Sequence, residues 1–319
     1  MSIISNIINT YEKQFNMQQA YAINPGVNKE SVRARVYEAA TADEAHFNSK
    51  IIDNKLIYKI SRGVYGIKTV VGEGEEPSSC VLLEGDGLDL SFIQDKSIDA
   101  IVTDHPYDIK ASNNGGDRHF ATYDCFRYTQ HDFDEKSRVL KDGCFLVEFL
   151  PEESANNYEY IYDIKKMAEK AGFKYYAAVP WKKGDFIANT GRKSKNTETV
   201  MIFSKGEARA LRPDAKKDKA DPSIKHYMKG AAGMLPTVFD YAKTSKKDTI
   251  HQAEKPVALI QAILEYITLP NEIVLDQFAG SGVTGEACLK SKRECILIEL
   301  AHEFCEKIIS RLKLKKISA

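Results

Sequence analysis

The sequence predicts an α/β protein: a doubly wound, mainly parallel sheet with helices on both faces, preceded by a small α+β unit. Three observations point there. After residue 80, continuous apolar segments of the kind that form buried parallel strands alternate with segments of helical period. One of these strands runs into a glycine-rich turn and a helix, EIVLDQFAGSGVTGEACLKS, a pattern that brings a ligand to a strand end. Ahead of them, GEGEEPSS at 72–79 has the Gly, Pro, Ser and acid content of a linker, dividing the chain into residues 1–75 and 80–319.

In the first unit, NKESVRARVYEAA reads as a helix and LIYKISRGVYGIKTV as two short strands around Ser-Arg-Gly. Helices followed by such a hairpin resemble a winged helix-turn-helix, whose wing, carrying Arg62, would meet a phosphate backbone. A small helical cap whose hairpin packs on the second unit accounts for the same residues. In the second unit CVLLEGD, AIVTDHPY and CFLVEFL read as strands, and FDEKSRVL and YEYIYDIKKMAEKAG as helices. FKYYAAVPW and TVMIFSK lie close together and are expected to form an antiparallel edge. PVALIQAILEYI places Ile260, Ile263, Leu264 and Ile267 on one helical face, with Pro256 at the first helical position. After the glycine turn, ECILIEL is one more strand, ending in an acid.

With 319 residues and 43% apolar content, the chain can bury one large core and one smaller one. Lys plus Arg equal Asp plus Glu at 45 each, so no overall field favours nucleic acid, and any basic surface must be local. The six cysteines, Cys80, Cys125, Cys144, Cys288, Cys295 and Cys305, are scattered without a C-x-x-C pair. They read as reduced core thiols, so neither a metal site nor a disulfide framework is expected. No apolar run approaches membrane-spanning length, and MSIISNIINTYEKQF lacks the features of a signal peptide. The expectation is a soluble cytoplasmic protein with no membrane partner.

Gly280, Gly282 and Gly285 spell G-S-G-V-T-G between a strand and a helix, and Glu299 ends the next strand at a distance suited to a ribose. Glycines let a ligand approach the backbone, and the acid accepts hydrogen bonds from the ribose hydroxyls of any adenosine, so NAD and S-adenosylmethionine both satisfy the pattern. A strand-to-helix turn without a ligand is the plainer reading. Only about twenty residues follow Glu299, too few for the further strands an NAD domain needs. Asp276, immediately before the turn, suits the ammonium of a bound amino acid. S-adenosylmethionine is therefore favoured, with an NAD-dependent oxidoreductase as the alternative.

DHPY at 104–107, followed much later by DQFAGSG at 276–282, resembles the prokaryotic and phage-type DNA amino-methyltransferases that modify adenine N6 or cytosine N4. The order is that of the beta class: a D-P-P-Y type motif, then the target-recognition segment, then F-x-G-x-G, here Phe278, Gly280 and Gly282. LLEGDGLDL with Asp86, SRVLKDGCFLVEF and HQAEKPVALI with Lys255 and Pro256 resemble further segments of the family, over roughly residues 80–315. The resemblance implies a seven-stranded, Rossmann-like methyltransferase sheet. It implies S-adenosylmethionine held by Asp86, Lys255, Pro256, Asp276, Phe278, Gly280, Gly282 and Glu299, and a target base met by Asp104, His105, Pro106 and Tyr107. An exocyclic amine is a poor nucleophile because its lone pair is delocalised into the ring. By resemblance, the Asp104 carboxylate and the carbonyl of residue 105 accept its two protons and aim the lone pair at the sulfonium methyl. Tyr107 would stack on a base flipped out of the duplex.

His105 stands where the family has proline. Pro106 still confines residue 105 to extended backbone, so the carbonyl can be aimed, at some loss of rigidity. His105 reads as a tolerated variant rather than a new base, although it opens the alternative of a DNA-binding regulator whose catalysis has decayed. Asp at 104 resembles the adenine-N6 members, so an adenine-specific enzyme is expected, with cytosine N4 as the alternative.

From Trp181 to Thr249, Lys and Arg outnumber Asp and Glu about two to one, so the neutral total conceals a basic lobe. Lys182, Lys183, Arg192, Lys193, Lys195, Arg212, Lys216, Lys217, Lys225 and Lys229 are its candidate contacts to double-stranded DNA. A solvated Lys-rich loop is the plainer alternative. Residues 205–250 match the place of the family's recognition segment, and 108–125, with Gly115 and Gly116, would close over the flipped base. The resemblance also makes a homodimer and a restriction endonuclease candidate partners, though no interface is legible.

Overall fold

The computed structural model describes residues 3–11, 14–40, 51–52, 55–61, 64–73, 80–107, 125–184, 196–211, 216–217, 220–221, 223, 225–226, 230–244 and 254–316. Helix α1 (Ile3–Thr10) buries Ile4, Ile7 and Ile8. Strand β1 (Gln14–Asn16) leads into α2 (Met17–Ala22) through a capping box, in which the Asn16 side chain accepts the Gln19 N–H while the Gln19 side chain accepts that of Asn16. Helix α3 (Lys29–Ala40) adds Val32, Val36 and Ala39 to a small core with Phe15 and Ile57. Strands β2 (Ile51–Ile52), β3 (Lys55–Ser61) and β4 (Val64–Glu73) follow, with β4 antiparallel to both β3 and β1.

The chain does not break where linker composition places a boundary. Gly72 and Glu73 continue β4 and pair antiparallel with Leu82 and Val81 of β5 (Cys80–Glu84), so one sheet runs through both units. Residues 74–79 of the expected linker lie outside the described residues.

The second unit continues with β6 (Ile98–Thr103), α4 (Gln130–Val139), β7 (Leu140–Pro151), α5 (Tyr158–Lys170), β8 (Phe173–Lys182) and β9 (Thr197–Lys205). The short strands β10 (Lys216–Lys217), β11 (Lys225–His226) and β12 (Phe239–Asp240) come next. The chain then forms α6 (Val257–Ile267), β13 (Ile273–Asp276), α7 (Val283–Lys290), β14 (Glu294–Glu299), α8 (His302–Leu312) and β15 (Lys315–Lys316). The strand order is β12-β8-β9-β7-β6-β13-β14-β5-β4-β3-β2, with β1 and β15 also on β4. Within it, the seven strands β8, β9, β7, β6, β13, β14 and β5 are parallel except β9, the antiparallel member expected beside β8.

The strands feed two cores, with alternate residues going to each along β5 and, past the register shift between Ile98 and Ala100, along β6. Cys80, Leu82, Ala100 and Val102 pack with α6, α7 and α8 on one face, while Val81, Leu83, Ile98 and Ile101 pack with α4 and α5 on the other. Each fully buried Leu or Ile contributes about 1.5–3 kcal/mol, which explains why strands covered on both faces are almost wholly apolar. Helix α6 buries Ile260, Ile263, Leu264 and Ile267 as its period predicts, and Leu259 besides. Pro256 is its N-cap rather than its first helical residue.

Strands β6 and β13 are parallel neighbours, with Val274 opposite Ala100 and Leu275 opposite Ile101. From β6 the chain leaves through α4 on one face, and from β13 it leaves through α7 on the other. Their carboxyl ends therefore flank a switch point, where a crevice opens in sheets of this kind.

Candidate active site

Asp104 follows β6 and the glycine turn follows β13, so residues some 170 positions apart meet at adjoining strand ends. The side chain of Asp104 is about one-third exposed, and Lys255 is ion-paired to it. Lys255 also lies 3.3 Å from Glu198 of β9, and Glu198 pairs with Lys183, so four charges form a chain from the strand ends toward the basic segment. The Lys255 ammonium sits 5.2 Å from the Phe149 ring centre and 5.9 Å from that of Trp181. Burial works against its charge, but Asp104 and Glu198 outweigh it and raise the pKa above its ordinary value. Burial raises Asp104 as well, with Glu198 adding to the rise and Lys255 only partly offsetting it. Lys255, expected at the cofactor, thus faces the carboxylate that was expected at the base.

Gly280 and Gly282 have φ of +52° and +76°, which disfavour any side chain, and Gly282 caps α7. The Gly280 N–H donates to Glu299 Oε2 at 2.8 Å, and the Ala301 N–H to Oε1 at 2.9 Å. The strand-end acid is thereby locked to the turn. Asp276 accepts from the Thr284 hydroxyl at 2.6 Å and from the Phe278 N–H at 3.2 Å. Burial pushes its carboxyl up to about 7 against those bonds, and the Asp104 and Glu299 charges add to the rise. A buried carboxyl so displaced fits an ammonium partner. The Gln277 side-chain oxygen and the Thr103 hydroxyl are buried without a hydrogen-bond partner among the described residues. The segment with Asp86 crosses close by: a Cβ on Gly87 would strike the Gln277 carbonyl oxygen and come 2.7 Å from the Phe278 ring. Asp86 itself is exposed and caps its turn through the Leu88 N–H at 2.9 Å.

At the DHPY segment, Tyr107 is half-buried, and burial, with the Asp104 and Glu198 charges, raises its hydroxyl above the ordinary range. The Pro106 carbonyl accepts the Phe126 N–H at 3.1 Å. His105 is turned inward and only 1% exposed; its Nε2 lies 2.7 Å from the Tyr160 hydroxyl, and its ring packs 4.1 Å from that of Tyr128.

A family model, N6_N4_Mtase, described as DNA methylase, matches residues 98–310. The chain belongs to this DNA methylase family. It is 28% identical over 208 residues to YubD of Escherichia coli (strain K12), named as a methylase, covering 65% of this chain and 78% of that one. It is 24% identical over 229 residues to the type II methyltransferase M.HpaI of Haemophilus parainfluenzae, covering 70% of each. Among solved structures, the M1.HpyAVI–SAM complex shares the fold with a TM-score of 0.50 at 23% identity, covering 73% of this chain and 99% of that one. The PvuII DNA methyltransferase (cytosine-N4-specific) does so with a TM-score of 0.51 at 19% identity, covering 75% and 89%.

The basic residues of this DNA methylase are placed unevenly. Lys182 lies 3.7 Å from Asp240, and Lys183 turns its ammonium inward to Glu198. Lys216, Lys217 and Lys225 share one antiparallel ribbon of β10 and β11. Arg192, Lys193, Lys195, Arg212 and Lys229 lie outside the described residues, as does the loop after DHPY except Cys125. Sequence reasoning missed Glu198, Gly87 and Gln277. It also missed Arg311, which binds the Ser281 carbonyl at 3.2 Å, Glu286 at 2.7 Å and Glu254 at 3.0 Å, bracing the glycine turn from α8. No helix among the described residues is long and apolar enough to cross a membrane.

Proposed function

We propose that this DNA methylase transfers a methyl group from S-adenosylmethionine to the exocyclic amine of a base flipped out of double-stranded DNA, with adenine N6 as the target expected from Asp104. The observation that carries the reading is the adjacency of Asp104 and Asp276 at the ends of neighbouring strands. Asp276 would hold the cofactor's ammonium and Glu299 its ribose hydroxyls, with the Gly280–Gly282 turn and Gly87 leaving room for close approach. When bound, the cofactor supplies a methyl on a sulfonium; the nitrogen lone pair forms the new N–C bond, and the C–S pair leaves with sulfur. Asp104 and the residue 105 carbonyl accept the two amine protons, and Asp104, raised by burial, is suited to receive the proton the nitrogen releases. Tyr107 offers its ring to the base. Lys255 and Glu198 hold Asp104 in place.

The cytosine-N4 reading has one specific support, the shared fold of a cytosine-N4-specific enzyme. For DNA, the β10–β11 ribbon with Lys216, Lys217 and Lys225 supports a recognition role for residues 205–250. Val70 of β4 pairs with Leu83, so residues 64–68 run about 15 Å beyond the carboxyl end of β5 at ~3.4 Å per residue. The N-terminal unit thus stands on the site's own edge. Its order of helix, strand, two helices and hairpin supports an accessory, winged-helix-like role against the same duplex.

The test is tritiated methyl transfer from S-adenosylmethionine to unmethylated genomic DNA, with base-modification sequencing of the product. Asp104→Ala should abolish incorporation and leave cofactor affinity by calorimetry nearly unchanged, because Glu198 still pairs with Lys255. Full turnover by that variant would remove Asp104 from the mechanism. Tight DNA binding with no incorporation by the unsubstituted chain would favour a regulator instead, and N4-methylcytosine in the product would reassign the base.

A further inference from the structure

Beneath the DHPY turn lies a buried polar network that the reaction proposed above does not use. Glu148 of β7 and Lys136 of α4 are ion-paired, and both side chains are wholly buried. His105 Nδ1 is 3.5 Å from Glu148 Oε2, while Nε2 is 2.7 Å from the Tyr160 hydroxyl of α5. That hydroxyl oxygen accepts the Tyr128 N–H at 3.1 Å, and the Tyr128 hydroxyl reaches Glu148 at 3.4 Å. Lys136 also sits 3.6 Å from the Tyr128 ring centre, closing the network.

Proton positions follow from these contacts. Burial opposes charge on Glu148, but the Lys136 ammonium and His105 outweigh it and hold the carboxyl below its ordinary value. Nδ1 makes no hydrogen bond among the described residues, but the ionised carboxylate 3.5 Å away favours a proton there, which leaves Nε2 to accept from the Tyr160 hydroxyl. A doubly protonated ring would leave the Tyr160 proton without an acceptor among the described residues. It would also add a second buried cation beside Lys136.

We propose that His105 is a positioning residue: held as its neutral Nδ1–H tautomer between Tyr160 and Glu148, it ties the backbone of residue 105 to α5 and β7 and so aims the carbonyl that accepts an amine proton. This rests on the methylation reading above. Pro106 restricts rotation on the C-terminal side of residue 105. A ring bonded to Tyr160 through Nε2, with Nδ1 facing the Glu148 carboxylate at 3.5 Å, restricts the rotation that a proline at 105 would otherwise have fixed through its own ring. The same turn is held from its other side by the Phe126 N–H on the Pro106 carbonyl at 3.1 Å.

Nitrogen-resolved NMR of the ligand-free chain should show one histidine, missing from His105→Asn, as the neutral Nδ1–H tautomer, with its ring signals displaced in Tyr160→Phe. Hydrogen exchange at the Phe126 amide should quicken in His105→Ala and recover in part in His105→Asn, whose amide nitrogen stands where Nδ1 does. With S-adenosylmethionine and unmethylated DNA, kcat should drop by about tenfold to a hundredfold in His105→Ala, with S-adenosylhomocysteine affinity kept and His105→Asn intermediate. An imidazolium, an Nε2–H tautomer, or exchange and kcat unaltered in both variants would overturn the proposal. Loss of methyl transfer in the unsubstituted chain would overturn the methylation reading, and the aimed carbonyl with it. Tautomer and exchange need neither DNA nor cofactor, so the two failures are told apart.

Discussion

Asp276→Asn offers a test whose size can be worked from the structure. The Asp276 side chain belongs to a residue only 5% exposed, and burial displaces its pKa from 3.8 to about 7, past the opposing hydrogen bonds from Thr284 and Phe278. A rise of about 3 units at ~1.36 kcal/mol each makes the ionised form cost on the order of 4 kcal/mol in the folded chain. The folded pKa lies above the unfolded one, so between about pH 4 and pH 7 the folded state holds a proton that the unfolded state has lost. Stability from this group is therefore greatest in acid, falls as pH rises toward 7, and is level beyond it. Asparagine keeps the acceptor for the Phe278 N–H and turns an N–H toward the Thr284 hydroxyl, which can rotate to accept. Urea unfolding of both proteins at pH 5 and pH 8 isolates the effect. The variant should gain on the unsubstituted chain by roughly 3 kcal/mol between those values, because two of the three units lie between pH 5 and 7. An ammonium ligand favours the charged carboxylate, so S-adenosylhomocysteine should bind the unsubstituted chain more tightly as pH rises through 7, and the variant should lack that dependence. A stability difference equal at both pH values would refute the buried, displaced carboxyl.

Two further substitutions probe the approach of the backbone and the basic ribbon. Gly87→Ala should lower both thermal stability and cofactor affinity, at about 1–3 kcal/mol for the overpacking, because its Cβ meets the Gln277 carbonyl and the Phe278 ring rather than a flexible side-chain end; unaltered melting and calorimetric titration would show that the loop is free to move aside. Replacing Lys216, Lys217 and Lys225 together by Ala should weaken binding to all DNA sequences and make the slope of log affinity against log salt shallower by about 2 to 3. An unaltered slope in fluorescence anisotropy would place the ribbon away from the phosphates.

The parts of the fold legible in the sequence are those where one physical demand acts alone. β5, β6, β7 and β14 are covered on both faces and are apolar through most of their length, so CVLLE, IDAIVT and ECILIE stand out despite Asp99 and the acids at the strand ends, Glu84, Glu294 and Glu299. α6 shows its period because Ile260, Ile263, Leu264 and Ile267 all face one core. α1 and β1 are too short for a period to declare itself, while α8 carries a readable stripe, Phe304, Cys305, Ile308, Ile309 and Leu312. The joint between units misled because Gly72 has the composition of a linker yet serves at a register shift in β4, between Val70 and Gly72, where a strand bends to meet β5.

The site divides along a different line. Residue types at Asp104, Asp276, Gly280, Gly282 and Glu299 mark out the crevice, because glycine at positive φ and acids at strand ends leave a trace in sequence. The direction in which a long side chain reaches leaves none: nothing in the EKP segment tells that Lys255 pairs with both Asp104 and Glu198. The same limit hid the anchor of His105, although one sign of it was present. Glu148 sits in the middle of CFLVEFL, and an acid in a strand apolar on both faces is untenable without a cation and donors within reach. Following that demand leads to Lys136 and then to the ring of residue 105. On the proposal above, proline and histidine at 105, unlike one another as chemical groups, restrain the same carbonyl, one through a covalent ring and the other through a hydrogen bond to a phenol, with a buried acid beside its other nitrogen. The proposed anchor thus draws on residues 23 to 55 positions downstream, Tyr128, Lys136, Glu148 and Tyr160, and no reading of the four residues DHPY taken alone could include them.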